Sequence, residues 1–581
     1  MKAAQITNET MFKGVLAKPW HSAGVFSCAF LFLIVTMQRE LSVYDEGLIL
    51  FGSVRVLSGD IPYRDFYANY GPSQFYVLAA LFKMFGPSVI VERIWDLFIR
   101  SSTILIIYLI IDNAWSRMTA LFTAFASALW LSALGFYGYP IFPCLFFSLL
   151  SLYCILLVLK GRSEITFLLA SGACIGVVAL FRYDVGVLAA MAGLFTLVLF
   201  HLMQNYDSKR KRKALVRSTV TYVCGVMIVS VPVLFLLLSA VDLHDILLNL
   251  VHLPAAIYVR FRSLPFPSVA EILSDAIQKK GPVFQFVKLI VYLPILGVLV
   301  GVVAACSSST KRLCADIVSE CSLILRRRLI LVQLIAFSTL FFLKGFVRVS
   351  PIHMALSIMP AIMIVFVTID QWRQLHHKVA LALLGLAFAC FYISSIPVVR
   401  YTVDRFAENV AWAVGNDSWA GVKVGKSFPP FDSNNCHPPD GLERIRCFTL
   451  DQHRIDAIRF VQQRTRENDY IYVGTNRHDK IYINDILFYF ASKRLSATKW
   501  HHFDPGIQTT KDIQSEIISD LHMRTPRYVV LSSEWDDVQE PNESALSSGV
   551  TLLDDFLKAN YKLVASFGSL GIYELTTDLS P

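Results

Sequence analysis

The stretch Tyr44-Asp45-Glu46-Gly47, followed by Gly59-Asp60-Ile61-Pro62-Tyr63-Arg64-Asp65-Phe66 and Tyr70-Gly71-Pro72, decides how this chain is read. It comes directly after the first strongly apolar run, near residues 23–37. Two adjacent carboxylates at the mouth of a membrane span are costly, because a charge near hydrocarbon loses hydration. Residues kept there are either well solvated or functional. The sequence that follows is rich in Gly, Pro, Tyr and acidic residues, which predicts an ordered loop outside the membrane, spanning residues 41–97. Within it, Phe75 to Phe85 is too short to cross a bilayer and is expected to lie along the interface.

Composition agrees with a membrane setting. The chain has 581 residues, 55% hydrophobic and only 17% charged. A soluble domain carries about 25% charged residues. Mean hydropathy is +0.53. Apolar runs recur near 98–111, 118–136, 140–159, 166–180, 186–203, 218–240, 284–305, 329–344, 353–370 and 379–398. With the first run this predicts an α-helical polytopic membrane protein of about eleven transmembrane helices, matched to a hydrocarbon core of about 30 Å. The first run is long and lacks a small-residue cleavage site, so it reads as a retained signal anchor.

The basic residues test that count. With Lys2, Lys13 and Lys18 inside, alternate loops fall at Arg117, Lys160 to Arg162, Lys209 to Lys213, Lys311 to Arg328 and Arg373 to Lys378. These loops hold almost all the basic clusters, as cytoplasmic loops do. The formal charge of +9 is therefore a topology signal and not a sign of nucleic-acid binding. The opposite face receives 45–93, Tyr137 to Tyr139, Phe181 to Asp184, 242–280 and Lys344 to His353. Residues 1–398 form the membrane domain. Residues 399–581 form a polar tail on the outer face, where helix-like segments (451–466, 509–522, 551–559) alternate with β-rich runs (470–473, 528–531, 563–575). That alternation predicts a small α/β domain.

Most of the 11 cysteines lie in apolar runs and act as small hydrophobes. Cys436 and Cys447 sit in a polar, Pro-rich stretch and are placed to close a short disulfide loop in an oxidising compartment. No Cys/His spacing fits zinc, no acidic spacing stands out for another divalent metal, and the tail carries no Gly-rich phosphate loop.

The Asp-Glu pair after the first span, the run Gly-Asp-Ile-Pro-Tyr-Arg-Asp-Phe, Tyr70-Gly71-Pro72, and a short helix ending at Phe85-Gly86 with Arg93 beyond resemble the first outer loop of the GT-C glycosyltransferases. The pattern is similar to the bacterial branch of protein mannosyltransferases and aminoarabinose transferases. The likeness is strongest over the first quarter of the chain and topological beyond it. Aminoarabinose transferases carry Lys-Pro-Pro where this chain has Tyr70-Gly71-Pro72, so that family's phosphate-binding lysine is missing here.

The resemblance implies a membrane enzyme that moves a sugar from a polyprenyl-phosphate donor to a glycan, lipid or protein hydroxyl, with inversion; the residues themselves indicate no cofactor and do not call for a divalent metal. The resemblance gives Asp45 the role of general base, which contributes roughly 10²–10⁴-fold to proton removal. The plainer reading of Asp45 is a helix cap. Glu46 joins Asp45 in the catalytic pair as an orienting or acceptor-binding neighbour, or is an ordinary first-turn acid. Asp65 positions substrate or pairs with Arg64. Tyr63 and Tyr70 form a sugar-stacking wall or belong to the interfacial aromatic belt. Arg182 and Asp184 line the same cavity as Asp45, or Arg182 forms a structural pair with Asp184 or with Asp45. Arg260, Arg262, Arg348 and His353 are the candidates for the donor phosphate, because Arg combines fixed charge with a two-pronged donor. Their alternative is bilayer anchoring. Other readings of the whole chain are an O-antigen ligase or polymerase, a transporter, and a non-catalytic partner in envelope assembly.

Overall fold

A computed structural model describes residues 19–204, 207–278, 282–307, 318–371, 378–414, 436 and 441–576. The expectations for Lys2, Lys13 and Lys18, and for Lys311, Arg312 and Arg373, fall outside these residues.

Every expected apolar run is a helix. The first three helices are α1 (Pro19–Val35), α2 (Asp45–Leu57) and α3 (Ser73–Phe85). Next come α4 (Val89–Ala114), α5 (Arg117–Ala133), α6 (Ile141–Leu159), α7 (Glu164–Phe181), α8 (Tyr183–Met203) and α9 (Ser208–Leu238). The short α10 (Leu253–Phe261) precedes α11 (Leu293–Ser307), α12 (Val318–Gly345), α13 (Ala355–Asp370) and α14 (Lys378–Val414). Polar caps start several of them: the side chains of Ser88, Ser116, Ser163 and Asp207 accept backbone N–H groups of the first turn.

Among the described residues, eight helical segments are long and apolar enough to cross a membrane, α11 counting together with the helical turns before it as one segment, Val283–Cys306. The other three expected spans, α1, α5 and α13, have 17, 17 and 16 residues. They fall short of the roughly 20 residues a full crossing takes. In α13 the reason is position: it is buried from Ala355 to Val365 without a break, against α11, α12 and α5. A helix that is apolar all round belongs inside a bundle.

The segment expected at the interface is amphipathic. In α3, Phe75, Leu78, Ala79 and Phe82 are buried at helical spacing, while Met84 and Phe85 are exposed. The opposite end of the bundle gathers basic loops. There Lys160 donates to Asn113, Arg327 donates to the carbonyl of Ala114, and Ser116 and Thr119 donate to Asp370.

Helix α14 continues through position 398 to Val414, so the boundary expected there lies within a helix. Beyond it are α15 (Gln452–Gln462), β1 (Tyr470–Thr475), α16 (Leu487–Ser492), β2 (Leu495–Ser496), α17 (Lys511–Arg524), β3 (Tyr528–Ser532), α18 (Leu552–Asn560), β4 (Tyr561–Phe567) and β5 (Leu570–Leu575). The sheet order is β2-β1-β3-β5-β4, with β1 parallel to β2 and β3, and β5 antiparallel to β3 and β4. The single β-rich run expected at 563–575 is thus a hairpin, turning at Gly568, where φ is +57°. The tail is keyed into the membrane part. Leu487 N–H donates to the carbonyl of Val43 at 2.9 Å, and Phe51 stacks on Tyr489 at 4.7 Å. A Cβ on Gly47 would lie 2.5 Å from Leu487 N, so only glycine permits this approach.

Candidate active site

Loops expected on one face converge on a single cavity of about 540 Å³. Its walls come from the start of α2, the turn at Asn69 to Gly71, Tyr139, the Arg182–Asp184 junction, α10 and the segment Lys344 to His353. The C-terminal unit closes it with Tyr482, His502 and Asp504.

Asp45 opens helix α2 at the cavity wall, but its side chain does not cap the helix: the N-cap is Tyr44, without a side-chain bond. One carboxylate oxygen accepts a long hydrogen bond, 3.4 Å, from the Tyr137 hydroxyl. Among the described residues no ion pair within 4 Å involves Asp45, whereas Arg182, Arg262 and Arg348 beside it are all paired. Enclosure pushes the Asp45 carboxyl above its ordinary value, against the pull of Arg262, Tyr137, Arg348 and His502. A half-buried, unpaired carboxylate with a raised proton affinity is suited to accept a proton.

The positive groups divide by how they are paired. Arg182 meets Asp184 at 3.0 and 3.1 Å, and Lys344 Nζ is 4.0 Å from the same carboxylate. Two cations share one acid there. Arg262 donates to Asp504 at 2.7 and 3.0 Å, and Arg348 to Glu540 at 2.7 and 2.9 Å. His353 contacts Ser350 Oγ through Nδ1 at 2.6 Å, and burial among cations holds its pKa well below the usual histidine value. It is therefore neutral near pH 7. Tyr70 and Tyr139 meet edge to face at 6.0 Å on the same wall, with the Arg182 guanidinium over the Tyr70 ring.

Four predicted residues lie elsewhere. Glu46 is buried in an ion pair with Arg93, because one helical step turns a side chain by about 100° from that of Asp45. Asp65 accepts from Arg64 at 2.8 Å and from Ile61 N–H at 2.7 Å, so it fastens its own loop. Tyr63 is buried behind the wall and donates to the carbonyl of Tyr70 at 2.7 Å. Arg260 points outward and pairs with Glu543 at 2.7 Å. Cys436 and Cys447 are joined by a disulfide.

Sequence reasoning missed Lys344, Asn69, Tyr258, His502 and Asp504 as cavity residues. Lys344 had a signal, being a charge at the end of an apolar run. Asp504 had only the polar cluster His501-His502-Phe503-Asp504, with nothing to tie it to a helix more than 400 residues away.

No family model matches the chain, and no curated relative matches it. Solved structures do. ArnT from Cupriavidus metallidurans bound to undecaprenyl phosphate matches 97% of this chain and 100% of its own, with a TM-score of 0.53 at 15% identity. The same protein in the apo state covers 97% and 99%, with a TM-score of 0.52 at 14% identity. The oligosaccharyltransferase of Archaeoglobus fulgidus tethered with an acceptor peptide covers 97% and 75%, at TM-score 0.46 and 12% identity. The likeness read from the first outer loop thus extends to the architecture: over nearly its whole length the chain has the fold of the solved ArnT structures.

Proposed function

We propose that this protein is an integral-membrane glycosyltransferase that moves a sugar from a polyprenyl-phosphate donor to an acceptor hydroxyl with inversion. The observation that carries the reading is the unpaired Asp45 sharing a cavity with the Arg182–Lys344 pair of cations. Asp45 takes the proton of the acceptor hydroxyl. The freed oxygen attacks the anomeric carbon as the bond from that carbon to the phosphate oxygen breaks. The lipid phosphate leaves with the bonding electrons, opposite the incoming oxygen. Its charge is met by Arg182 and Lys344, which outnumber the one acid between them, and fixed charge of this kind stabilises a leaving group without reorganisation. Arg262 and Arg348, already paired, shape the wall rather than hold the phosphate.

The apolar side of the cavity, Leu250, Val251, Pro254, Ala255 and Val259, suits the first isoprene units of a lipid donor. Undecaprenyl phosphate is bound in the solved ArnT structure, which has this fold. In this reading the protein sits in the plasma membrane with its N-terminus cytoplasmic. The cavity and residues 399–581 then face outward, toward a glycan, lipid or protein acceptor. The deciding experiment incubates the purified protein with polyprenyl-phosphate hexoses and pentoses and measures release of polyprenyl phosphate. Release that depends on Asp45 is expected. Absence of release from every such donor, with membrane extract supplied as acceptor, would overturn the reading.

A further inference from the structure

A buried ion pair, Arg262–Asp504, ties the C-terminal unit to the cavity that holds Asp45. Arg262 donates from Nε and Nη2 to one oxygen of Asp504, and from Nη2 to the Tyr44 hydroxyl at 2.8 Å. The side chains of Arg262 and Asp504 are 7% and 3% exposed. Asp504 also accepts from the Tyr67 hydroxyl at 3.1 Å and lies 3.2 Å from His502 Nε2. Its loop is fixed in place: Asp504 N–H donates to Gln508 at 2.8 Å, and Gly506, at φ +84°, packs against the ring of Phe261. Tyr44, the residue before Asp45, is thus clamped by the same guanidinium.

We propose that Asp504 is a positioning residue for the transfer step: it holds the guanidinium of Arg262 against Tyr44 and keeps it from closing an ion pair with Asp45. The proposal rests on the reading of Asp45 as the base. A buried cation without its partner turns to a neighbouring carboxylate that is not already paired, because an uncompensated charge in a low-dielectric site is costly. Glu540, the other acid acting with Arg262, is held by Arg348, which leaves Asp45. The groups facing Asp45 are Arg262 from the end of α10, Tyr137, Arg348 and His502, with Tyr70 and Tyr139 on the adjoining wall. Arg262 acts on it most strongly among them. A carboxylate closed in an ion pair is a poorer base, since the pair must be broken before the proton is taken. The C-terminal unit is therefore part of the catalytic apparatus through one acid.

The test compares full-length Asp504→Asn and Asp504→Asn/Arg262→Gln proteins with wild type, reading kcat and donor KM against pH. In Asp504→Asn, kcat is expected to fall about 10-fold with donor KM changed less than about 2-fold. The acidic limb of the kcat profile is expected to move down by about 1 in pH. The double variant leaves no unpaired charge between the two positions, and its limb is expected to return to the wild-type position or above. An effect transmitted through His502 would persist in the double variant and would overturn the proposal. So would an unmoved limb in a folded Asp504→Asn protein. Where that single variant does not fold, the double variant decides alone, and a limb below wild type refutes the assignment. Failure of the underlying reading looks different: there Asp45→Asn itself retains transfer.

Discussion

The carboxylate of Glu46 lies 2.7 Å from Nε of Arg93, with the two side chains 0% and 2% exposed. Arg93 also donates to the carbonyls of Gln38 and Glu40, and Glu46 accepts the N–H of Ser42. The pair therefore ties the segment leading to Asp45 onto α4. Removing one partner of a buried pair costs about 3–5 kcal/mol where the other charge is left uncompensated, and the lower end applies here because Glu92 lies 3.5 Å from Arg93. Glu46→Gln is expected to lower thermal stability in detergent by that order and to lose activity in proportion to folded protein. A Glu46→Gln variant of full stability and no activity would instead make Glu46 a catalytic group.

Asp45 is expected to behave in the opposite way. Its folded carboxyl is pushed above its unfolded value, so in the protonated form it favours folding. By linkage that contribution is present below the unfolded value of about 3.9 and is lost as pH rises through the folded one. Asp45→Asn at neutral pH is thus expected to keep or slightly raise the melting temperature while cutting turnover by 10²–10⁴-fold or so. Near-normal turnover in the folded variant would end the general-base assignment.

Asp504 carries the reverse sign. Against the upward push of burial, His502 and Arg262 hold its carboxyl well below the ordinary value. Its stabilising contribution is present above about pH 3.9 and falls away as pH drops toward the folded value. Acid unfolding of wild type is expected to begin near pH 4, and the Asp504→Asn/Arg262→Gln variant is expected to show a shallower acid dependence. Equal acid profiles would remove Asp504 from the groups that set it.

Hydropathy along this chain fixes where a residue sits but not which way its side chain points. Asp45, Tyr70, Arg182, Asp184, Arg262, Arg348 and His353 were legible because hydropathy placed each in an outer loop or at an outer helix end, and they all line the cavity. What periodicity does not give is the direction of a side chain within a loop. Asp65 and Tyr63 have the right chemistry and face their own loop, and Arg260 lies two residues from Arg262 on α10 but faces solvent. Strand β2, two residues long, and helix α16, made by aromatic Leu487–Ser492, carry no period that sequence could show. Asp504 became a site residue only through the docking of one folded unit on another.

Lys344 is the cavity cation least committed to a partner, at 4.0 Å from Asp184 against 3.0 Å for Arg182. Lys344→Gln is expected to raise donor KM about 5- to 10-fold, which corresponds to about 1–1.4 kcal/mol of phosphate binding, with a smaller change in kcat. An unchanged donor KM would move the phosphate to another part of the cavity.

The disulfide between Cys436 and Cys447 closes a loop of 11 residues. On the chain-entropy account it stabilises by about 3 kcal/mol. Reduction is expected to lower the unfolding midpoint by that order. Two titratable thiols at these positions in unreduced protein would show the bond absent, and with it the oxidising location of this stretch.

The turn Tyr70-Gly71-Pro72 offers a test of how the wall is assembled. Gly71 N–H donates to the carbonyl of Phe181 at 3.0 Å, which seats the turn on the end of α7 and sets Tyr70 beside Arg182. A Cβ on Gly71 would lie 2.2 Å from the carbonyl oxygen of Leu180. That neighbour is backbone at a helix end, so the turn must move. The cost of such overpacking is about 1–3 kcal/mol. Gly71→Ala is therefore expected to loosen the Tyr70–Arg182 contact, raise donor KM and lower the melting temperature. Gly24, in α1, is the control. Nothing lies within 4 Å of a Cβ there, and alanine favours a helix interior over glycine by about 1 kcal/mol. Gly24→Ala is expected to leave KM unchanged and stability equal or higher. If Gly71→Ala matches Gly24→Ala in both readouts, the close seating of the first outer loop on α7 does not set the geometry of the cavity.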